Sequence, residues 1–219
     1  MRVMKYVFIH PKVGVWSDLK NKRVRDEERS LGFFLGLYLK KNKISYDEFD
    51  GIFFEGSDIV EESVYIQNRL LIVPISMDEK DYPDEIDKVM INDYLIENIY
   101  LGIEKIKESY KELSDLLIEG VREFKKNDYI CKWNHKKKKI GDLFVMLQCT
   151  LTVYEFSLDL FILNSNLDVI FEKEVLITPP NEYSFKHRFK DIGVVDNLLY
   201  ITDSFNDRWF EIDFSNFKS

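Results

Sequence analysis

The period of the hydrophobic pattern changes once along this chain, and that change restricts the fold more than any single motif does. Ile99, Ile103, Ile106, Tyr110, Leu113 and Leu117 recur at alternating steps of four and three, which places one apolar seam along a helix. After Asn127 the period falls to two. Tyr129, Cys131, Trp133 and His135 alternate with Ile130, Lys132 and Asn134, and the alternation resumes through Leu143, Val145, Leu147, Cys149, Leu151 and Val153. Successive side chains of a strand point to opposite faces, so this half of the chain reads as sheet. Further strands are predicted at 156–163, 167–177, 184–190, 198–203 and 208–214. Turn chemistry separates them at Asn164-Ser165-Asn166, Pro179-Pro180-Asn181, Asp196-Asn197 and Asn206-Asp207.

The first part of the chain mixes both periods. Residues 3–10 read as a strand, and Val24, Glu28, Leu31, Leu35, Tyr38 and Leu39 fall at helical spacing within 24–41, a helix that Gly32 and Gly36 weaken. Residues 52–55 and 63–77 read as extended, with Pro74 moving the latter to a sheet edge or a strand end. Together these predict a small mixed sheet. Pro83 and Asp84 suit a helix start, and that helix is expected to run to about 124, with Gly102 as the point where it would split or kink. The predicted class is α+β: a small N-terminal mixed α/β part with a long central helix (1–125), then a C-terminal antiparallel β-meander (126–219), packed as one compact unit. No strand alternates regularly with a helix, so a doubly wound nucleotide fold is disfavoured.

Composition removes several classes of protein. At 219 residues, 45% hydrophobic and 32% charged, the chain can bury a core without a disulfide or a metal, and disordered or collagen-like states do not fit. The longest apolar or glycine stretch of the N-terminal half, residues 31–39, is far short of the roughly 20 residues a spanning helix needs. The N-terminus starts basic and turns apolar, but the run stops at His10-Pro11 with no small-residue cleavage site after it, so a cytoplasmic protein without a membrane partner is expected. Cys131 and Cys149 are the only cysteines and are expected to be reduced and buried. The absence of alanine beside abundant Ile, Lys, Asn, Phe and Tyr points to an AT-rich bacterial or mobile-element gene.

Most motifs that carry chemistry are missing or nonspecific. The glycines do not cluster before a helix as a phosphate loop requires, and Gly32 with Gly36 reads as close helix packing in a soluble core. Two cysteines and three distant histidines form no zinc-finger pairs, and no metal or other cofactor is expected. No nucleophile elbow selects a serine. His10 and His187 read as strand-end residues, and Asp196, Asp203, Asp207 and Asp213 as turn formers. Lys136 to Lys139, with Trp133 and His135 nearby, combine cations and aromatics as a single-stranded nucleic acid prefers. A pI of 5.1 and a net charge of −8 oppose that reading, so four lysines protecting a hairpin tip is the expected role, with no nucleic-acid partner.

Residues 196–212, Asp-Asn-Leu-Leu-Tyr-Ile-Thr-Asp-Ser-Phe-Asn-Asp-Arg-Trp-Phe-Glu-Ile, resemble the strand-turn-strand unit of NHL-type propeller blades. The unit occurs once and a propeller repeats it. The resemblance therefore implies only a hairpin, turning at Asn206 and Asp207 between a strand ending at Thr202 and one starting at Arg208.

Charge is the remaining signal. Residues 78–125 carry a net −7, against +1 before them and −2 after. Within the first segment, Asp47, Glu48, Asp50, Glu55, Asp58, Glu61 and Glu62 follow one another with no Lys or Arg between Ile44 and Asn68. A solvated face is the simpler account of such runs. Here, however, Tyr46, Phe49, Phe53, Phe54, Tyr65, Tyr82 and Tyr94 are interleaved with the acids, as at a docking surface where opposite charge steers and aromatic anchors hold. The predicted binding residues are those seven acids with Phe53 and Phe54, joined by Tyr82 and Asp84. The profile is similar to that of bacterial immunity proteins and antitoxins. It implies a non-enzymatic binding protein, monomeric when free, that captures and neutralises a basic partner such as a secreted toxin. Two rivals are an enzyme whose site is assembled from distant residues, with His187 and the C-terminal aspartates in it, and an assembly protein dimerising through the seam from Ile99 to Leu117. That seam is expected to be buried against the chain's own sheet instead.

Overall fold

The computed structural model describes residues 1–58 and 63–217, which belong to two units, 1–131 with 152–154 and 132–151 with 155 onward. In the first unit, β1 (Arg2–Val3) leads into β2 (Tyr6–Pro11), where buried Val7 and Ile9 alternate with half-exposed Phe8 and His10. The helix expected over 24–41 begins earlier, as α1 (Asp18–Glu27) and α2 (Arg29–Lys41). β3 (Ser45–Tyr46) pairs with β1. Then come β4 (Gly51–Ser57), β5 (Tyr65–Gln67) and β6 (Leu70–Ser76).

The four-stranded sheet has the order β2-β4-β6-β5, with β2, β4 and β6 parallel and β5 antiparallel. A mixed sheet was expected; three parallel strands, reached by a crossover through α1 and α2, were not. Pro74 lies inside β6, which β4 borders throughout. β5 pairs only with Leu70–Ile72, however. Among the described residues one side of β6 is therefore open by Pro74, where a missing N–H is tolerated. Asn68 and Arg69 close the β5–β6 hairpin at positive φ, the conformation of a two-residue turn.

The long central helix is two helices, α3 (Lys88–Ile106) and α4 (Lys111–Lys126). Residues 107–110 amount to about one helical turn, so Ile106, Tyr110 and Leu113 stay in phase across the break and periodicity cannot reveal it. Gly102 is not the break. It lies against β4, where an added Cβ would come within 2.2 Å of the Phe54 ring. Gly32 and Gly36 likewise let α2 approach a strand rather than a helix, since a Cβ on either would meet the Val7 or Lys5 carbonyl oxygen at 2.5 Å. Ile99, Ile103, Ile106, Leu113 and Leu117 are all buried in one core with Ile52, Phe54, Val73 and Ile75, each burial contributing about 1.5–3 kcal/mol. The α3 part of the seam packs against β4 and β6, as expected, whereas the α4 part packs against α2 and α3, so these five side chains are enclosed within the chain's own core.

The second unit is antiparallel. β7 (Cys131–Ile140), β8 (Leu143–Leu151), β9 (Phe156–Leu163) and β10 (Val169–Thr178) form one meander, and β11 (Asp191–Val195), β12 (Leu198–Thr202) and β13 (Arg208–Asp213) form a separate three-stranded sheet. The hairpin implied by the blade-like stretch is present with the expected strand ends; the Asp203 carboxylate accepts from the Phe205 and Asp207 N–H groups, and Asn206 takes a positive φ. The strand expected at 184–190 is instead the short helix α5 (Glu182–Phe185), whose cap Asn181 accepts from Ser184 N–H at 3.0 Å. Buried Phe185 and Phe189 are four residues apart, a spacing that fits both periods. Ser215–Phe217 closes the described chain as a 3-10 turn. Mixed α+β is the class, and no helix of the described residues is long and apolar enough to cross a membrane.

Candidate functional site

β4 divides the acidic tract of residues 44–62. Its seven residues, at about 3.3 Å each, hold Asp47, Glu48 and Asp50 at the amino end of the parallel sheet and Asp58 at the carboxyl end, roughly 20 Å away. The amino end is not an open acidic face. Asp50 is buried and paired with Lys5 at 3.2 Å and with Arg69, and Asp47 reaches the terminal amine at 3.0 Å. Of these three acids, only Glu48 is exposed without such a bond among the described residues. Tyr46 stacks on Phe49 at 4.5 Å with Tyr110 edge-on to both, so these aromatics are packed rather than presented.

Within β4 the alternation separates neighbours. Phe54 is wholly buried in the helix-covered core and is corrected from a docking residue to a core residue. Phe53 and Glu55 face the other side. Phe53 lies 4.5 Å from the ring of His10, which is the register partner of Glu55, and Glu55 meets Lys12 at 4.0 Å and the Tyr65 hydroxyl at 3.5 Å. His10 is mainly neutral: burial, then the Arg25 and Arg29 charges, lower its pKa to about 4. The sheet face beside Glu55 therefore carries cations as well as acids. Glu61 and Glu62 lie outside the described residues.

At the carboxyl end, Pro11, Gly56 and Ile75 lie level across the three parallel strands. In open α/β sheets, this is the end where ligands bind. The loop after β2 folds back through Trp16, whose indole N–H donates to the Met77 carbonyl at 3.2 Å. The loop after β6 is clipped to α1: Ser17 N–H donates to Glu79 at 3.1 Å, and Lys20 reaches the Glu79 carbonyl at 3.1 Å and Asp84 at 2.9 Å. The Ser17 hydrogen bonds hold the Glu79 carboxyl below its usual range, and Lys20 does the same for Asp84.

Tyr82 is also corrected. It is 1% exposed, between Trp16 and Tyr94, and donates its hydroxyl to Glu27, which Arg23 holds at 2.9 Å. Burial, then the Glu27 hydrogen bond, raises the phenol pKa. Tyr82 thus anchors the loop from inside and cannot contact a partner.

What remains is a cleft of about 510 Å³ bordered by Lys20, Asp58, Ser76, Asp78, Glu79 and Lys80. Asp58 is exposed and makes no ion pair among the described residues. Asp78 accepts from the Lys80 N–H at 2.9 Å. Of the predicted set, the structure brings only Asp58 to this cleft, with Asp84 clipped nearby through Lys20. The Ser76 to Lys80 segment was missed because nothing in the sequence says that an acidic loop after one strand returns beside the end of another. A shallow, charged cleft of this kind can accept Lys or Arg side chains.

Other candidate chemistry is dispersed. Among the described residues no group of three or more His, Cys, Asp or Glu side chains could hold a metal ion. Burial pushes the Cys131 thiol up to about 12, which suppresses its nucleophilic thiolate. Asp196 and Asp213 lie at one end of β12 and Asp203 and Asp207 at the other, so the four C-terminal aspartates do not converge on one site; Asp203 and Asp213 build turns as expected. His187 is exposed. No protein-family model, no curated protein and no solved structure matches the chain.

Proposed function

We propose that this chain is a binding protein that captures a basic protein partner at the acidic carboxyl rim of its parallel sheet, in the manner of a cytoplasmic immunity protein or antitoxin. The observation that supports this reading is the convergence of Asp58 with Asp78 and Glu79, from segments about twenty positions apart, on the border of one cleft. A net charge of −8 adds long-range attraction for a cation-rich surface. The partner would place Lys or Arg side chains between Asp58 and Asp78, while the bonds from Ser17, Lys20 and Tyr82 keep the loop in place and limit the ordering cost of association.

The test is stopped-flow association with a basic toxin candidate, chosen by its ability to bind the unsubstituted chain. Asp58→Lys with Asp78→Lys should slow association at least tenfold at low salt, and the defect should shrink once the Debye length falls below about 8 Å. Asp47→Lys with Glu48→Lys makes the same charge change at the opposite end of β4 and should have a much smaller effect. Equal slowing by both pairs would mean that net charge rather than the rim governs encounter, and no slowing by either would reject the rim.

A further inference from the structure

The lysine run of the second unit leads to a site of opposite sign. Lys136 to Lys139 lie within β7, not at the hairpin tip, which is Gly141-Asp142. Strand alternation divides them. Lys137 and Lys139 extend over the Phe144 ring, at 4.8 and 5.9 Å, while Lys136 and Lys138 reach β11, at Asp191 (3.3 Å) and the Ile192 carbonyl (2.9 Å). There Lys138 borders a cleft of about 510 Å³ together with Lys190, Asp191, Tyr200, Asn206 and Arg208.

We propose that this cleft is a binding site for the phosphate groups of a small phosphorylated ligand. Lys138 is held by a backbone carbonyl, and Lys190 by the Asn206 side-chain oxygen at 2.8 Å. Both anchors are neutral, so each ammonium keeps two further N–H donors, although the Asp191 carboxylate lies within electrostatic reach of Lys138. Asp191, the acid of the cleft, is already engaged by the Ile192 N–H and by Lys136. Arg208 reaches Glu211 only at 3.8 Å across exposed surface, a weak pair, and its guanidinium lies 4.0 Å from the Tyr200 ring centre. Three cations from β7, from the start of β11 and from β13 thus converge with little internal neutralisation, in a chain whose overall charge is negative.

The same geometry disfavours a nucleic acid. Tyr200 lies against Gly193, where a Cβ would come within 2.2 Å of the ring, and Arg208 covers the ring as well. Among the residues that line the cleft no aromatic face remains open for base stacking, which sequence-tolerant single-strand binders rely on; the exposed Phe205 adjoins the cleft without lining it. The volume suits a small molecule, and the net charge repels a long polyanion.

Calorimetric titration of the full chain with inorganic pyrophosphate at low ionic strength should show saturable binding at one site. Lys138→Gln and Lys190→Gln should each weaken it at least tenfold, whereas Lys137→Gln and Lys139→Gln should leave it within twofold. Acetic anhydride labelling of the unsubstituted chain gives a check that needs no variant: pyrophosphate should protect Lys138 and Lys190 and leave Lys137 reactive. Absence of saturation, equal effects of all four substitutions or unchanged labelling would overturn the site. A single-stranded DNA 12-mer binding as tightly as pyrophosphate would overturn the assignment to a small ligand.

Discussion

The acidic tract of the first unit and the lysine run of the second are both contiguous in sequence, both fall on strands, and neither survives as one surface. They are divided along different axes. The acidic tract is long relative to β4, so the strand separates it lengthwise: Asp50 is enclosed at one end and Asp58 opens onto a cleft at the other. The lysine run is short, and β7 divides it sideways, two ammonium groups resting on Phe144 and two turning to β11. A charge run on a strand is therefore a weak guide to a charged surface unless its length and its alternation are both considered.

The largest expected effect tests alternation within the acidic tract. Phe54→Ala should destabilise by about 3–5 kcal/mol, as truncation of a buried aromatic does, while Phe53→Ala, on the half-exposed side, should cost about 1–2 kcal/mol. Urea unfolding of both variants decides it; equal losses would mean that β4 does not separate the two rings. The next effect tests the cationic surroundings of His10. An unfolded chain takes up this proton near pH 6.5 and the folded one only near 4, so the unfolded state binds more protons between those values and stability falls as the pH drops through that window. Relative to His10→Phe, the unsubstituted chain should lose about 2–3 kcal/mol more between pH 7 and 4, the shift discounted for partial exposure. Parallel stability curves for the two proteins would contradict the assignment. The smallest effect separates paired from free acids at the amino end of β4. Asp50→Asn should cost about 1–3 kcal/mol by weakening the bonds to Lys5 and Arg69, whereas Glu48→Gln should stay within about 0.5 kcal/mol. Thermal melts that rank them the other way would show that Asp50 does not hold the strand end.

Local chemistry alone determined a good deal. The two hydrophobic periods located the helical and sheet portions, and the Thr202–Arg208 hairpin was legible because Asp203 and Asn206 build its turn from their own side chains and backbone. The burial of the Ile99 to Leu117 seam was legible for the same reason, since a one-sided apolar stripe must find a cover. Only the tertiary structure decided the rest. The break at 107–110 preserves the period of the seam, and Phe185 with Phe189 satisfies helix and strand alike, so local pattern could not choose. Nor could it foresee that Lys190 and Arg208, far apart in sequence from Lys138, would face one cleft, or that Asp58 would border the same cleft as Asp78 while Asp50 paired with Arg69. Those pairings depend on strand order and register, which are set by the packing of whole elements around a shared core rather than by any residue's neighbours in the chain.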